Sequence, residues 1–291
     1  MPDLTGLFTA LITPFDAHGN VDLAGMQQNI EEQLDAQVDG IVVLGTTGES
    51  PTLSFDEKKE IIRCAKETIR GQVPLIVGAG SNSTASTLQM TQLAEELRAD
   101  AALLVTPYYN RPMQEGLYRH FAAVAEQTSI PLILYNIPKR AGQTLEIATL
   151  KRLSMLKNVV AIKESSGDIS FIADLIAEVP DLKLLSGDDN LTLPIIAFGG
   201  RGLISVLSNL LPRDVNALVK ACLKQDFALA KALHLKLHPF MKAAFIETNP
   251  GPIKFMMQQL KKAAGPCRLP LSELSETSKQ TVLHALNNSR L

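Results

Sequence analysis

Several things are missing from this 291-residue sequence, and each absence removes a class of function. Cysteine is sparse: Cys64, Cys222 and Cys267 are odd in number and far apart, with no CxxC pair and no zinc spacing. They read as buried or half-buried free thiols rather than a disulfide framework. Histidine offers only His234 and His238 at helical i,i+4 spacing, with no Glu after the first, no third ligand nearby and Pro239 next. No metal is therefore expected. His18, His120 and His284 stand at no metal-ligand spacing from one another in sequence. Charge of one sign is also lacking: the formal net charge is −2, with no basic stripe or cluster, so nucleic acid is not an expected partner. No apolar run approaches the roughly 20 residues that cross a bilayer, and no membrane role is expected. The start, MPDLTGLFTALITPFD, has no basic segment and carries Asp3 early, so it does not read as a signal peptide. The expected compartment is the cytoplasm. Neither GxGxxG nor GxxxxGK[ST] occurs; GAGSNS, Gly78 to Ser83, lacks the spacing. No cofactor is expected.

What is present is a repeated alternation. Short apolar runs recur at Leu7–Ile12, Gly40–Leu44, Pro74–Gly78, Ala101–Val105, Pro131–Tyr135, Val159–Lys163, Leu182–Ser186 and Gly202–Val206. They are continuous rather than alternating, as parallel strands covered on both faces require. Between them lie amphipathic stretches such as Asp56–Arg70, Thr84–Arg98 and Gln114–Thr128. Ser54 and Glu57 form a capping-box pattern before the first, and Gly71 follows as a stop. Eight such units predict a (β/α)8 TIM barrel over residues 1–225, rather than an open doubly wound sheet. Beyond that the strand signal ends. Asp226–Glu247, Pro252–Ala264 and Leu271–Asn288 read as helices broken by NPGP and GPCRLP. No flexible linker precedes them, so 226–291 is expected to pack on the barrel as a C-terminal helical extension.

In such barrels chemistry sits at the C-terminal ends of the strands. Five ends are rich in polar residues: GTTGES (Gly45 to Ser50), TPYYNRP (Thr106 to Pro112), YNIPKR (Tyr135 to Arg140), KESSG (Lys163 to Gly167) and SGDD (Ser186 to Asp189). Lys163 closes an apolar run, and period-two geometry puts Val159, Ala161 and Lys163 on one face. If that face points inward, desolvation favours a neutral amine, the nucleophile that imine formation with a carbonyl requires. The plainer alternative is an ion pair, or a lysine reaching solvent. In GTTGES, the hydroxyls of Thr46 and Thr47 lie beside Gly45 and Gly48, which would let backbone N–H groups turn toward an anion. A simple turn into the next helix is the alternative. Tyr109 and Tyr135 are candidate proton carriers, since imine formation moves protons on and off a carbinolamine; most tyrosines only pack. Arg140 would suit a second substrate that bears a carboxylate, or would be a surface arginine.

Taken together, GTTGES, TPYYNRP, YNIPKRAG and AIKESSGD, in that order, resemble the dihydrodipicolinate synthase family of pyruvate-dependent class I aldolases. The similarity runs from LFTALITPF near the start to NPGPIK in the C-terminal helices. The resemblance implies that pyruvate forms an imine with Lys163 and that its enamine attacks aspartate semialdehyde, the entry step of diaminopimelate and lysine biosynthesis. It implies a proton relay of Thr46, Tyr109 and Tyr135, with Tyr109 reaching into a neighbouring subunit, and hence a homo-oligomer, usually a tetramer built from two dimers. It places Thr47 on the pyruvate carboxylate, Arg140 at the entrance beside Tyr135 and the semialdehyde, and backbone carbonyls of Gly187 and Ile204 near the site. N-acetylneuraminate lyase shares the lysine but usually has Ser for the second Thr of the loop and no Arg at position 140, so Thr47 and Arg140 favour the synthase. Family members inhibited by lysine carry acidic and histidine side chains in a regulatory pocket. Here the matching segments hold Phe55, Lys58 and Ser86, with Asn82 and Tyr108 kept, so weak or absent lysine inhibition is expected. Two other classes remain for comparison. A catalytically silent barrel would have lost the lysine or a relay tyrosine, and a metal-dependent aldolase would need histidines at strand ends that carry none.

Overall fold

The computed structural model describes residues 2–288. Eight parallel strands close on themselves in chain order: β1 Gly6–Ala10, β2 Gly40–Val43, β3 Leu75–Gly78, β4 Ala101–Val105, β5 Leu132–Asn136, β6 Val159–Glu164, β7 Lys183–Ser186 and β8 Gly202–Ser205. β8 returns to β1, with Ile204 opposite Phe8, and closure removes the sheet edges. The connections carry α1 Leu23–Asp35, α2 Phe55–Ile69, α3 Thr84–Glu96, α4 Gln114–Gln127, α5 Pro138–Ala141, α6 Ile147–Ser154, α7 Ile169–Glu178 and α8 Thr192–Ala197, and α9 Pro212–Leu223 follows β8. Three further helices complete the described chain: α10 Phe227–Ala243, α11 Gly251–Gln259 and α12 Glu276–Asn288. The (β/α)8 barrel with C-terminal helices is thus the architecture, and each expected apolar run forms a strand within two residues of its expected ends.

Two apolar layers hold the barrel together. Inside, Phe8, Ile76, Ile133, Ala161, Leu185 and Ile204 fill the closed sheet. Outside, residues such as Leu7, Ile41, Val77, Leu134 and Ile162 face the helices. Alternate residues of one strand therefore feed different cores, which is why the strands read as unbroken apolar runs. One expectation fails here. Val159 does not share the inward face with Ala161 and Lys163; it packs in the outer layer. The register between β5 and β6 shifts at this point, Leu132 pairing with Val159 but Ile133 with Ala161. Val160 is the extra residue, and such a bulge reverses the side-chain alternation behind it. Ala161 and Lys163 keep their common inward face.

The helix ends follow local chemistry. Ser54 accepts from the Glu57 amide while the Glu57 carboxylate accepts from the Ser54 amide, the reciprocal cap expected at the start of α2, worth about 1 kcal/mol. That helix ends at Ile69, two residues before Gly71, because Arg70 already takes the left-handed conformation at φ 50. The C-terminal helices are shorter than their periodicity suggested. Left-handed Lys261 (φ 57) lies just beyond the end of α11. α12 starts at Glu276, since the Ser275 hydroxyl caps the Ser278 amide and its carbonyl accepts from the Lys279 amide. The extension is fastened to the barrel by specific bonds. The Phe15 amide donates to the Ala264 carbonyl at 3.1 Å and the Asn29 side chain to the Ala263 carbonyl at 2.8 Å. Arg268 spans the Gly19 and Thr52 carbonyls and the Glu57 carboxylate. No helix among the described residues is long and apolar enough to cross a membrane.

Candidate active site

Lys163 is the fifth of six residues in β6, and its register partner on β5 is Tyr135. Both side chains point inward at the C-terminal end of the barrel, each about 5% exposed. The Lys163 Nζ stands 4.4 Å from the centroid of the Tyr135 ring, within the range of a cation–π contact. It has no hydrogen-bond acceptor among the described residues. Gly187, just after β7, makes room for it: a Cβ there would lie 2.9 Å from Lys163 Cε and 1.9 Å from Ser165 Oγ. The Ser165 hydroxyl is itself buried and unpartnered. Nearby, burial pushes the Asp188 carboxyl above its ordinary range while the charges of Lys139 and Lys163 pull it down. Ile204 contributes its side chain to the inner core. The turn behind it is pinned by buried Asp189, which accepts from the Ser205 hydroxyl at 2.5 Å and the Val206 amide at 3.0 Å.

The loop after β2 is built differently from its sequence expectation. The left-handed residues are Leu44 (φ 57) and Glu49 (φ 52), while Gly45 and Gly48 have ordinary negative φ. The Gly48 amide is spent on the Gly45 carbonyl and the Glu49 amide on that of Thr46. The amides of Thr46 and Thr47 have no partner among the described residues, so those two are available to an anion. Gly78 permits the arrangement, since a Cβ there would lie 2.1 Å from the Leu44 carbonyl oxygen. Thr46 is half-buried, and Thr47 is buried with its hydroxyl accepting from Asn249 Nδ2 at 3.0 Å. The Asn249 carbonyl in turn accepts from Arg140 Nη2 at 3.1 Å. Thr47, Asn249 and Arg140 thus form one chain from the loop to the rim.

A cavity of about 620 Å³ opens at this end, walled among others by Thr46, Tyr108, Tyr135, Arg140 and Asn249. Lys163 is not in its wall, but Tyr135 is shared, lining the cavity while its ring faces the amine. Among the residues expected from sequence, Lys163, Tyr135 and Gly187 converge, and Thr46 and Arg140 face the same cavity. Tyr109 does not join them within this chain. It is 90% exposed and left-handed at φ 72, on the loop after β4.

Sequence reasoning missed Asn249, Ser165, Asp188 and the pair Glu49–Lys254. Glu49 Oε1 and Lys254 Nζ are 2.6 Å apart at 1% and 2% exposure. Removing one member of so buried a pair costs about 3–5 kcal/mol, although a well-packed neutral replacement of both is often tolerated. The one sequence mark near Asn249 and Lys254 is NPGPIK, a break in an otherwise helical tail that says nothing of their partners.

Residues 3–289 match the model of the Dihydrodipicolinate synthetase family. The chain belongs to that family. It is 51% identical over 288 residues to the 4-hydroxy-tetrahydrodipicolinate synthase of Protochlamydia amoebophila, covering 98% of this chain and 96% of that one. Its structure is similar to that of the 4-hydroxy-tetrahydrodipicolinate synthase of Methylacidiphilum fumariolicum, with TM-score 0.97 and 42% identity over 99% of this chain and 96% of that one. It is also similar to the chloride-inhibited dihydrodipicolinate synthase of Acinetobacter baumannii complexed with pyruvate, with TM-score 0.96 and 36% identity over 98% and 99% of the two chains.

Proposed function

We propose that the protein condenses pyruvate with L-aspartate 4-semialdehyde through an imine on Lys163, giving 4-hydroxy-tetrahydrodipicolinate in diaminopimelate and lysine biosynthesis. The observation that carries this reading is the buried Lys163 amine, without a hydrogen-bond acceptor among the described residues and facing Tyr135 at the mouth of the barrel. The Lys163 nitrogen adds to the keto carbon of pyruvate, and loss of water gives the imine. Loss of a methyl proton gives the enamine, whose carbon attacks the aldehyde; the amino group of the semialdehyde then adds to the imine carbon, closing the ring, and the bond to the Lys163 nitrogen breaks to free the lysine amine. Thr47 holds the pyruvate carboxylate, with the free amides of Thr46 and Thr47 turned toward it, and the Thr46 hydroxyl belongs to the proton relay. Tyr135 carries protons, as does Tyr109 of a neighbouring subunit in a homo-oligomer of dimers, a role that fits its exposure in the single chain. The presence of Arg140 and Thr47 favours this reaction over that of N-acetylneuraminate lyase. Pyruvate and borohydride added to the purified protein should raise its intact mass by one reduced pyruvate adduct. No adduct would remove the mechanism.

Arg140 is exposed at the rim, on α5, and is held there by the Asn249 carbonyl. Arg140→Ala should leave adduct formation intact and raise the KM for the semialdehyde by about tenfold to a hundredfold, the loss of a charge-assisted hydrogen bond of roughly 1.5–3 kcal/mol. Normal turnover would reject Arg140 as the site of the second carboxylate.

L-Lysine should inhibit weakly or not at all. Lys58, Ser86 and Tyr108 line one side of the cavity, and burial lowers the Lys58 amine below its usual range. The one acidic residue in the described wall, Glu49, is already committed to Lys254 and to the Arg268 amide. A dibasic ligand finds no free carboxylate there. A rate measured against added L-lysine should stay flat through the micromolar range; an inhibition curve in that range would contradict this.

A further inference from the structure

The Glu49–Lys254 pair takes no part in the chemistry above, yet it is attached to the loop that does. Glu49 is the last residue of the turn that presents Thr46 and Thr47, and its amide donates to the Thr46 carbonyl at 3.2 Å. Its backbone is left-handed at φ 52, a conformation that a residue with a Cβ holds only when its surroundings impose it. Those surroundings come from the far end of the chain. One carboxylate oxygen meets Lys254 Nζ at 2.6 Å, and the other accepts from the Arg268 amide at 2.9 Å. Lys254 is fixed in turn by the Pro266 carbonyl at 2.8 Å and lies over the Phe15 ring, 4.2 Å from its centroid. A second tether arrives from the same region, Asn249 on the Thr47 hydroxyl. Three bonds from residues 249–268 therefore converge on the two ends of a three-residue stretch, one on Thr47 and two on Glu49.

We propose that Glu49 and Lys254 are positioning residues, which set the loop so that the Thr46 and Thr47 amides and the Thr47 hydroxyl fit the carboxylate of the keto acid. The inference rests on the reading of the site given above. A purely stabilising pair could be exchanged for two neutral side chains of similar volume with little consequence. A pair that sets the geometry of a binding loop could not, because misplacement by about 1 Å is enough to change rates by about a hundredfold.

The test uses the full-length protein and the neutral double variant Glu49→Gln/Lys254→Met, with Glu57→Gln as a control. The control weakens the Glu57–Arg268 side-chain contact, which fastens the same C-terminal segment, and leaves both the Lys254 amine and the Arg268 amide on the Glu49 carboxylate. In the folded double variant, the KM for pyruvate should rise roughly tenfold or more, and the pyruvate concentration needed for borohydride trapping should rise with it. The KM for aspartate semialdehyde should stay within about twofold, and Glu57→Gln should leave both unchanged. If the double variant does not fold, Glu49→Gln alone decides in the same way, since it keeps the side-chain shape and an acceptor for Lys254. A pyruvate KM equal to that of the wild type, or an equal shift in both KM values, would overturn the positioning role. Absence of any adduct in the wild type would instead overturn the reading of the site.

Discussion

Lys163→Ala should abolish the trapped pyruvate adduct and lower kcat by at least about a thousandfold, without lowering Tm. The first half follows from chemistry. Without the amine there is no imine, hence no electron sink for removing the methyl proton of pyruvate and no enamine to attack the aldehyde. The second half follows from the environment. Lys163 is 5% exposed and has no hydrogen-bond acceptor among the described residues; it faces the Tyr135 ring and senses the Asp188 carboxylate only as a nearby charge. A buried amine in that state opposes folding, because its desolvation is only partly offset. Removing it should leave Tm equal or raise it, the trade-off expected where function rather than stability has placed a residue. A lysine held for structure would behave in the opposite way, with Tm falling and the adduct persisting on another residue. Intact mass after borohydride and a thermal melt on the same sample distinguish the two.

Much of this was legible in the sequence because each strand of a barrel reports its own position. An apolar run ending in a polar cluster says where a strand stops, and the architecture says that such ends share one rim. Lys163 could be placed without knowing its neighbours. The register of β6 could not, because a bulge at Val160 depends on how two strands pair and leaves no mark on composition. The loop after β2 shows a related limit. Its glycines suggested flexible amides, whereas the turning residues proved to be Leu44, whose left-handed turn is given room by Gly78, and Glu49, whose carboxylate is held by Lys254. Contacts between residues 205 positions apart cannot be read from spacing. The part of the site contributed by Asn249 was hidden for the same reason. Tyr109 is the converse case: the sequence marks it through its place in TPYYNRP, but one chain alone leaves it in solvent.

Tyr135→Phe should lower kcat by about 10² to 10⁴-fold, the range for loss of a positioned general acid or base, while the pyruvate adduct can still be trapped. The ring would remain where it is, opposite Lys163 across the β5–β6 pairing, so the cavity wall and the contact with the amine survive. The phenol hydroxyl has no hydrogen-bond partner among the described residues, so its removal leaves no protein donor or acceptor stranded and Tm should not change. The deficit would then fall on proton transfer alone. Carbinolamine formation and dehydration need a proton delivered to the departing hydroxyl, and deprotonation of the imine needs a base; water in the cavity can substitute slowly for either. Adduct yield should therefore approach that of the wild type after long incubation with pyruvate, while turnover with semialdehyde stays slow. This pattern separates Tyr135 from both neighbours: Lys163→Ala loses the adduct at any time, and Arg140→Ala keeps the adduct at its normal rate. A Tyr135→Phe variant with near-normal kcat would make the ring a packing partner of Lys163 and return the proton transfers to another group. Thr46 in the same cavity wall would be the first to test.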